Sequence, residues 1–179
     1  MKKIILLTIA ALLFAVTSVF AQNTTNPQKQ VVEYQLPYAG ILPDSPLYGL
    51  KTFRDRLISF FISDPIKKAE FDLLESDKRL SGAVALFAQG PKKYDLTEST
   101  ISKGENYFED AIKNLKTARK EGRTIEQNLL GNMDLSSRKH KEILQDMISK
   151  TTGDLQKRFS KDLERMDSLA IQVGELRPK

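Results

Sequence analysis

The single histidine of this 179-residue chain, His140, is the residue type best suited to bind a metal ion or a haem iron. Met147 and Met166 follow it and offer thioether sulfurs as soft partner ligands. No carboxylate lies three or four residues from His140, and the chain has no cysteine. His140 is therefore only a weak metal candidate, and we interpret it first as a hydrogen-bonded or partly exposed helix histidine and expect no cofactor.

A second group that could do chemistry is a run of charged residues, in which Lys68–Asp72 and Glu75–Arg79 have the i,i+4 spacing of helix-surface ion pairs. The run consists of Lys67, Lys68, Glu70, Asp72, Glu75, Asp77, Lys78 and Arg79. We predict a solvent-exposed, ion-paired helix face. A catalytic carboxylate pair would need a cleft, which the sequence does not indicate.

Motifs of the common enzyme classes are missing from the chain. It has no nucleophile elbow, no glycine-rich phosphate loop and no metalloprotease helix motif. Without cysteine it has no thiolate nucleophile, no disulfide and no thiolate metal site. We predict that the protein is not an enzyme and that its fold is held together by its core alone.

The N-terminus has the three parts of a secretory signal peptide. Two lysines precede an apolar stretch over residues 4–20, and Ala21 stands at the −1 position of a small-residue cleavage site before Gln22. This pattern predicts removal of residues 1–21 and export to the periplasm, the cell surface or the medium. The alternative is an uncleaved N-terminus that tethers the protein to the membrane, although a span needs about 20 apolar residues.

Composition divides the remaining chain into three parts. Residues 22–35 are polar and predict a disordered spacer, within which Val31, Val32 and Tyr34 could pair weakly with the body. Residues 36–175 form the predicted helical domain, and residues 176–179 a short tail. No later apolar stretch is long enough to span a membrane. The formal charge of +5 falls to +3 without the signal, and with export this argues against nucleic acid as a partner.

A proline-rich but apolar run over residues 36–48 predicts an ordered, extended segment leading into the helices. Ser45 and Pro46 then predict a helix start, because serine caps well and proline lacks only an N–H that the first turn leaves unpaired. Asp64 and Pro65 repeat this pattern for a second helix. The residues of this structural motif are Leu36, Pro37, Tyr38, Gly40, Pro43, Asp44, Ser45, Pro46, Leu47, Tyr48, Asp64 and Pro65.

Apolar residues at helical spacing predict an all-α fold of about five amphipathic helices packed as a bundle. The first helix is predicted to end near Ile62 and the second near Gln89. Thr97 or Ser99 caps the third, and Gly104 on its apolar face allows a neighbouring helix to approach closely.

The C-terminal part predicts a helical hairpin. A short segment ends at Gly131, and Asp134 or Ser137 caps the helix that carries His140. Gly153 closes that helix and Asp154 caps the last one. A break this short predicts that the two helices are antiparallel.

Five aromatic residues surround the proline-rich run: Tyr38, Tyr48, Phe53, Phe60 and Phe61. We predict that they form a core in which the run packs across the first two helices. The alternative is an exposed docking ledge for a peptide or an envelope partner, which would leave a large apolar patch in solvent.

These motifs together resemble a known family. LPYAGILPDSPLYGLK over residues 36–51 is followed by RDR at 54–56, DPIKKAE at 64–70 and KRL at 78–80. This arrangement resembles an extracytoplasmic bacterial family known as domain-of-unknown-function family 5667, and the resemblance covers about residues 36–170. It implies export and a helical domain, and it implies no agreed activity.

The chain departs from the family pattern at a few positions. Ala39 and Gly49 stand where the family usually has proline, and residues 151–153 replace a proline turn. These departures affect local rigidity and leave the expected fold unchanged.

The function predicted from the sequence is that of an exported, non-catalytic helical module, acting through protein–protein contact or as an envelope scaffold. Its partner is expected to be another envelope or extracellular protein. The charge-dense stretch 138–165 is predicted to be a solvated hairpin, with a partner-binding face as the alternative. The alternative function is a metal- or ligand-sensing helical bundle that uses His140 and nearby methionines, and an enzyme ranks last.

Overall fold

A computed structural model describes residues 31–177 of the chain. All the described helices belong to one compact unit, Val32–Lys179. The predicted signal peptide, its cleavage site and residues 22–30 of the predicted spacer lie outside the described residues.

The fold is all-α, as predicted, with five α-helices and no strand between residues 31 and 177. The helices are α1 (Tyr48–Phe61), α2 (Pro65–Phe87), α3 (Tyr94–Lys120), α4 (Gln127–Ser149) and α5 (Gly153–Glu175), with a 3-10 turn at Pro91–Lys93. No helix of this described part is long and apolar enough to cross a membrane.

The core lies between α2, α3, α4 and α5. α2 packs along α3, α4 and α5 form the predicted terminal hairpin, and α3 also contacts α5, whereas α1 makes only sparse contact with the other helices. The largest fully buried apolar side chains are Phe108, Phe159, Leu80, Leu86, Ile101, Ile112, Leu115, Leu130, Met133, Leu144 and Met166. They come from amphipathic helices, which have no other layer to pack against.

The predicted cap at Asp64 is present. Its Oδ1 accepts hydrogen bonds from the backbone N–H groups of Ile66 at 2.8 Å and Lys67 at 3.2 Å, and Pro65 is the first residue of α2. Arg123 donates to Oδ2 at 2.7 Å, and this bond lowers the pKa of Asp64 to about 2. Asp64 therefore caps α2 and ties it to the loop after α3.

The predicted close approach at Gly104 is confirmed. A Cβ atom at this position would lie 3.0 Å from Arg79 Cβ and 3.2 Å from the Ser76 carbonyl oxygen. Both neighbours belong to α2, so the missing side chain allows α2 and α3 to pack tightly where they meet.

The predicted start of α1 is wrong by a few residues. The helix begins at Tyr48, because Ser45 and Pro46 lie in a turn before it. The Ser45 carbonyl accepts from Tyr48 N at 3.0 Å, and its hydroxyl oxygen accepts from Leu47 N at 3.3 Å. Ser45 thus stabilises the turn that precedes the helix.

The predicted cap of α3 at Thr97 or Ser99 is also wrong. α3 begins at Tyr94, because the 3-10 turn that starts at Pro91 runs directly into it. Thr97 lies inside the helix, where its hydroxyl donates to the Lys93 carbonyl at 2.9 Å.

The break predicted near Gly131 does not occur. α4 is continuous, and Asp134 and Ser137, both predicted as caps, lie within it. Burial of the neighbouring Leu130 and Met133 outweighs the roughly 1 kcal/mol helix penalty of one glycine.

The last helix begins one residue before its predicted cap. Thr152 occupies the N-cap position of α5, and Gly153, with a φ of 68°, is its first residue. Asp154 stands in the first turn, where its carboxylate complements the helix dipole and lies 3.3 Å from Arg158 Nε.

Candidate functional site

Three side chains converge on Asp77 in the middle of α2. Ser136 of α4 donates its hydroxyl to Oδ1 at 2.6 Å, and Tyr34 donates its phenol to Oδ2 at 2.6 Å. His140 Nε2, one turn after Ser136, lies 3.2 Å from the same Oδ1. Burial, and then the hydrogen bond to Asp77, raises the pKa of Tyr34. We call these four residues the Asp77 cluster.

The Asp77 cluster contains serine, histidine and aspartate, but not in the order that nucleophilic catalysis requires. A catalytic serine gives its proton to a histidine that is oriented by the acid. Here the Ser136 hydroxyl donates its hydrogen bond to Asp77 and not to His140, and Ser136 and His140 are both buried. The geometry suits a structural role, in which α2, α4 and the segment before α1 are fastened at one carboxylate.

The candidate metal ligand His140 is a member of this cluster. Its side chain is 1% exposed, and its ring lies edge-on to Phe108 with the centroids 6.0 Å apart. Across residues 31–177, no group of three or more His, Asp or Glu side chains is placed to hold a metal ion. Met147 and Met166 are buried members of the core.

The leading segment, which we define as residues 32–47, is attached to the helices by its first residues. Val32 N donates to Glu142 on α4 at 2.9 Å, and Tyr34 reaches Asp77. The predicted spacer therefore differs from the structure at its end, since the contacts of the domain begin at Val32 and not at Leu36. The sequence analysis predicted that Val32 and Tyr34 could pair with the body, and both residues do so.

A cleft of about 670 Å³ lies beside the Asp77 cluster, between the leading segment, α2 and the start of α4. Leu36, Pro37 and Tyr38 of the sequence motif line it, together with the acidic Glu70 and Glu126. None of the described residues that line this cleft is a lysine or an arginine. It is concave and large enough for a small ligand or a peptide segment.

The inner face of α1 is charged. Lys51 and Asp55 are buried, and Lys51 Nζ lies 3.3 Å from Asp55 Oδ2 and 3.5 Å from Glu75 Oε2 of α2. Lys78 Nζ approaches the other oxygen of Glu75 at 2.8 Å. Burial raises the pKa of Asp55, but its contacts with Arg54 and Lys51 outweigh this and lower the pKa overall.

Arg79 and Tyr48 complete this ionic contact. Arg79 donates a hydrogen bond to the Tyr48 hydroxyl, and its guanidinium lies 5.4 Å from the ring centroid of Tyr107. Burial raises the pKa of Tyr48. The solvent-exposed face predicted for α2 is thus wrong in part. Glu75 and Arg79 are buried under α1, Asp72 accepts a hydrogen bond from Asn114 of α3, and Asp77 lies in the Asp77 cluster. The buried members of the predicted face are Asp72, Glu75, Asp77 and Arg79.

The outer face of α1 is apolar and exposed. Leu50, Phe53, Phe60 and Phe61 are 68%, 62%, 79% and 76% exposed. Leu47, Leu57 and Ile58 are exposed beside them. The predicted aromatic core is therefore wrong for Phe53, Phe60, Phe61 and Tyr38, and only Tyr48 is half-buried. The reason is the ionic contact, which turns the charged side of α1 inward.

Two buried carboxyl groups lie between α3 and α5. Burial, and then the nearby Asp162, raises the pKa of Glu105 to about 9, and burial raises that of Asp162 to about 7. Arg165 Nη1 approaches Glu105 Oε2 at 3.5 Å, while Glu105 Oε1 and Asp162 Oδ2 lack hydrogen-bond partners. The raised pKa keeps Glu105 neutral at pH 7.

Other residues of the sequence motif stabilise the leading segment. Gly40 has a φ of 70°, which favours glycine, and Asp44 pairs with Lys93 at 2.8 Å. Sequence reasoning missed Asp77, Lys51 and Glu105 as buried charges. Of these three residues, only Asp77 had a sign of its burial in the sequence, because it interrupts the apolar stripe of α2.

Comparison with known proteins supports the family resemblance that the motif in residues 36–51 indicated. No curated protein and no solved structure matches the chain. A family model described as "Domain of unknown function (DUF5667)" matches residues 40–173, which is most of the chain. The match includes all five helices apart from the last residues of α5. The chain therefore belongs to the DUF5667 family.

Proposed function

We propose that the chain is an exported, non-catalytic helical module that works by contact with another envelope or extracellular component, in protein–protein contact or as an envelope scaffold. The observation that carries this proposal is the outward apolar face of α1. Export rests on the signal-like N-terminus, and the family supplies no activity that would compete with this role.

The orientation of α1 supports a contact role. A helix that served only the core would bury its phenylalanines and expose its charges. α1 instead buries Lys51 and Asp55 and leaves six large apolar side chains exposed, and Leu47 is exposed directly before it. Apolar patches of this size on a folded protein mark interaction sites. The ionic contact with α2 gives the helix a fixed orientation in which that patch faces outward.

The polar clusters support a non-catalytic role. The Asp77 cluster has its donors committed to one carboxylate, and His140 is engaged there. In the sensing alternative a metal ion would have to reach His140 Nδ1, a buried atom without a hydrogen-bond partner, because Nε2 is engaged with Asp77. For this reason the contact role is favoured over the sensing role.

Site-specific crosslinking tests this proposal. A photo-crosslinking phenylalanine analogue is placed at position 61 of the full-length sequence, in cells that export the protein. The same analogue replaces Ile171, an apolar residue on α5 with a similar exposure, 67% against 76% for Phe61. We expect adducts with an envelope component from position 61 and none from position 171.

Two results would overturn the proposal. One is an exported protein that forms no adduct at position 61. The other is a specific hydrolytic activity of the purified protein that a single substitution abolishes. Mass spectrometry of the recovered N-terminal peptide tests the export step, which predicts a chain beginning at Gln22.

A further inference from the structure

The apolar face of α1 covers a broad arc. At about 100° per residue, the exposed apolar positions from Phe60 round to Ile58 span roughly 160° of the helix. A seam for one partner helix is narrower, since it uses two positions per heptad. Phe60 and Phe61 point in different directions within this arc, with ring centroids 5.5 Å apart and planes at 81°. An arc this wide fits a flat apolar boundary better than a single helix.

The exposed charges on α1 are of one sign. Arg54 and Arg56 are exposed, whereas the only acidic residue of the helix, Asp55, is buried on the inner face. Arg54 donates hydrogen bonds to Asp55 Oδ1 at 3.0 and 2.7 Å. The outer side therefore combines large apolar side chains with the cationic Arg56. This combination is typical of amphipathic helices that lie in the interface of a bilayer, where basic residues meet anionic headgroups.

We infer that α1 lies in an anionic lipid surface, with its leucine and phenylalanine side chains inserted between the headgroups and Arg56 at the phosphates. This inference rests on the proposed function and names the envelope component that α1 contacts. It makes the protein a peripheral scaffold. No helix described between residues 31 and 177 could span the bilayer, and α1 attaches the module from one side.

The ionic contact under α1 gives this surface its orientation. Lys51 is held between Asp55 and Glu75, so the helix presents the same side whether or not lipid is present. The helix is thus preorganised, and binding does not require it to detach from α2. The bundle of α2 to α5 then extends away from the lipid surface.

Fluorescence tests the inference directly, because the chain has no tryptophan. The full-length sequence is expressed with Phe61→Trp as the only tryptophan, and Ile171→Trp on α5 serves as the matched control. Each protein is titrated with vesicles of phosphatidylcholine alone and of phosphatidylcholine with phosphatidylglycerol. We expect the emission of the Phe61→Trp protein to shift to shorter wavelength with the anionic vesicles, and that of the Ile171→Trp protein to stay unchanged.

A variant that lacks one arginine measures the electrostatic contribution to lipid binding. Adding Arg56→Gln to the Phe61→Trp protein should raise the anionic lipid concentration at half-shift roughly fivefold, since one arginine near such a surface contributes about 1 kcal/mol. An unchanged midpoint, or an equal shift with phosphatidylcholine alone, contradicts the anionic surface. Equal shifts at positions 61 and 171 contradict insertion through α1.

Other occupants give different results. If vesicles cause no shift and the position-61 crosslink identifies an envelope protein, the lipid inference fails while the proposed function stands. If the Phe61→Trp emission lies at short wavelength without vesicles and sedimentation shows a dimer, a second copy covers the face. If neither lipid nor any envelope component contacts position 61, both the inference and the proposed function fail.

Discussion

Replacing Glu105 by glutamine should stabilise the protein at neutral pH. Burial raises the pKa of Glu105 from 4.5 to about 9 in the native state. The native protein thus keeps a proton that the unfolded chain releases above pH 4.5. The stability contributed by this group is fully present below pH 4.5 and is lost as the pH rises towards 9. Glutamine has the size of the neutral acid and releases no proton.

The size of the effect follows from the interval between pH 4.5 and pH 7. At about 1.4 kcal/mol per pH unit, the proton held at Glu105 lowers wild-type stability at pH 7 by about 3 kcal/mol relative to acidic pH. Glu105→Gln should therefore be more stable than wild type at pH 7 by up to this amount. Near pH 4.5 the two proteins should be close to equal.

Urea unfolding followed by far-ultraviolet circular dichroism measures this difference at several pH values between 4.5 and 8.5. Glu109 is the matched control, because it lies one turn further along α3 and Arg165 holds its pKa below the ordinary value. Glu109→Gln should be no more stable than wild type. A Glu105→Gln protein that matches wild type at pH 7, with the same dependence on pH, would refute the reasoning.

Four further substitutions test the packing and the capping. Asp77→Ala should lose about 3 kcal/mol or more in urea unfolding, because three buried or half-buried donors lose their acceptor, and a loss under about 1 kcal/mol would contradict the cluster. Gly131→Ala should raise the free energy of unfolding by about 0.5–1 kcal/mol, since the new Cβ would meet open space. Gly104→Ala should bring no such increase. Equal increases at the two positions would disprove the tight crossing of α2 and α3. Asp64→Ala should lower the Tm by a few degrees through loss of the cap, and an unchanged Tm would show that the cap is unimportant.

Helix periodicity and local capping chemistry were enough to predict the fold class. The apolar stripes of α2 to α5 and the Asp64–Pro65 start follow from short-range rules, and the structure contains them. The helix starts at Ser45 and Thr97 were misplaced for a different reason. There, turns with their own hydrogen bonds compete with the helix, and residue type alone does not decide between them.

The orientation of α1 was not predictable from its own sequence. Periodicity shows that α1 has an apolar side and a polar side, and the usual expectation places the apolar side inward. Which side of α1 faces inward depends on Glu75 and Arg79 of α2, because these residues become the partners of Lys51 and Tyr48 only after folding. The raised pKa of Glu105 likewise depends on Asp162, distant in sequence.

The most direct test of the contact role of α1 is the rate at which a maleimide labels Phe61→Cys, in the isolated protein and in intact envelopes. The chain has no cysteine of its own, and Ala111→Cys, at a fully buried position, is the protected control. We predict fast labelling of Phe61→Cys in the isolated protein and much slower labelling in envelopes, with Ala111→Cys slow in both. Slow labelling of Phe61→Cys in the isolated protein, or equal rates in the two settings, would contradict an outward apolar face that is covered at the envelope.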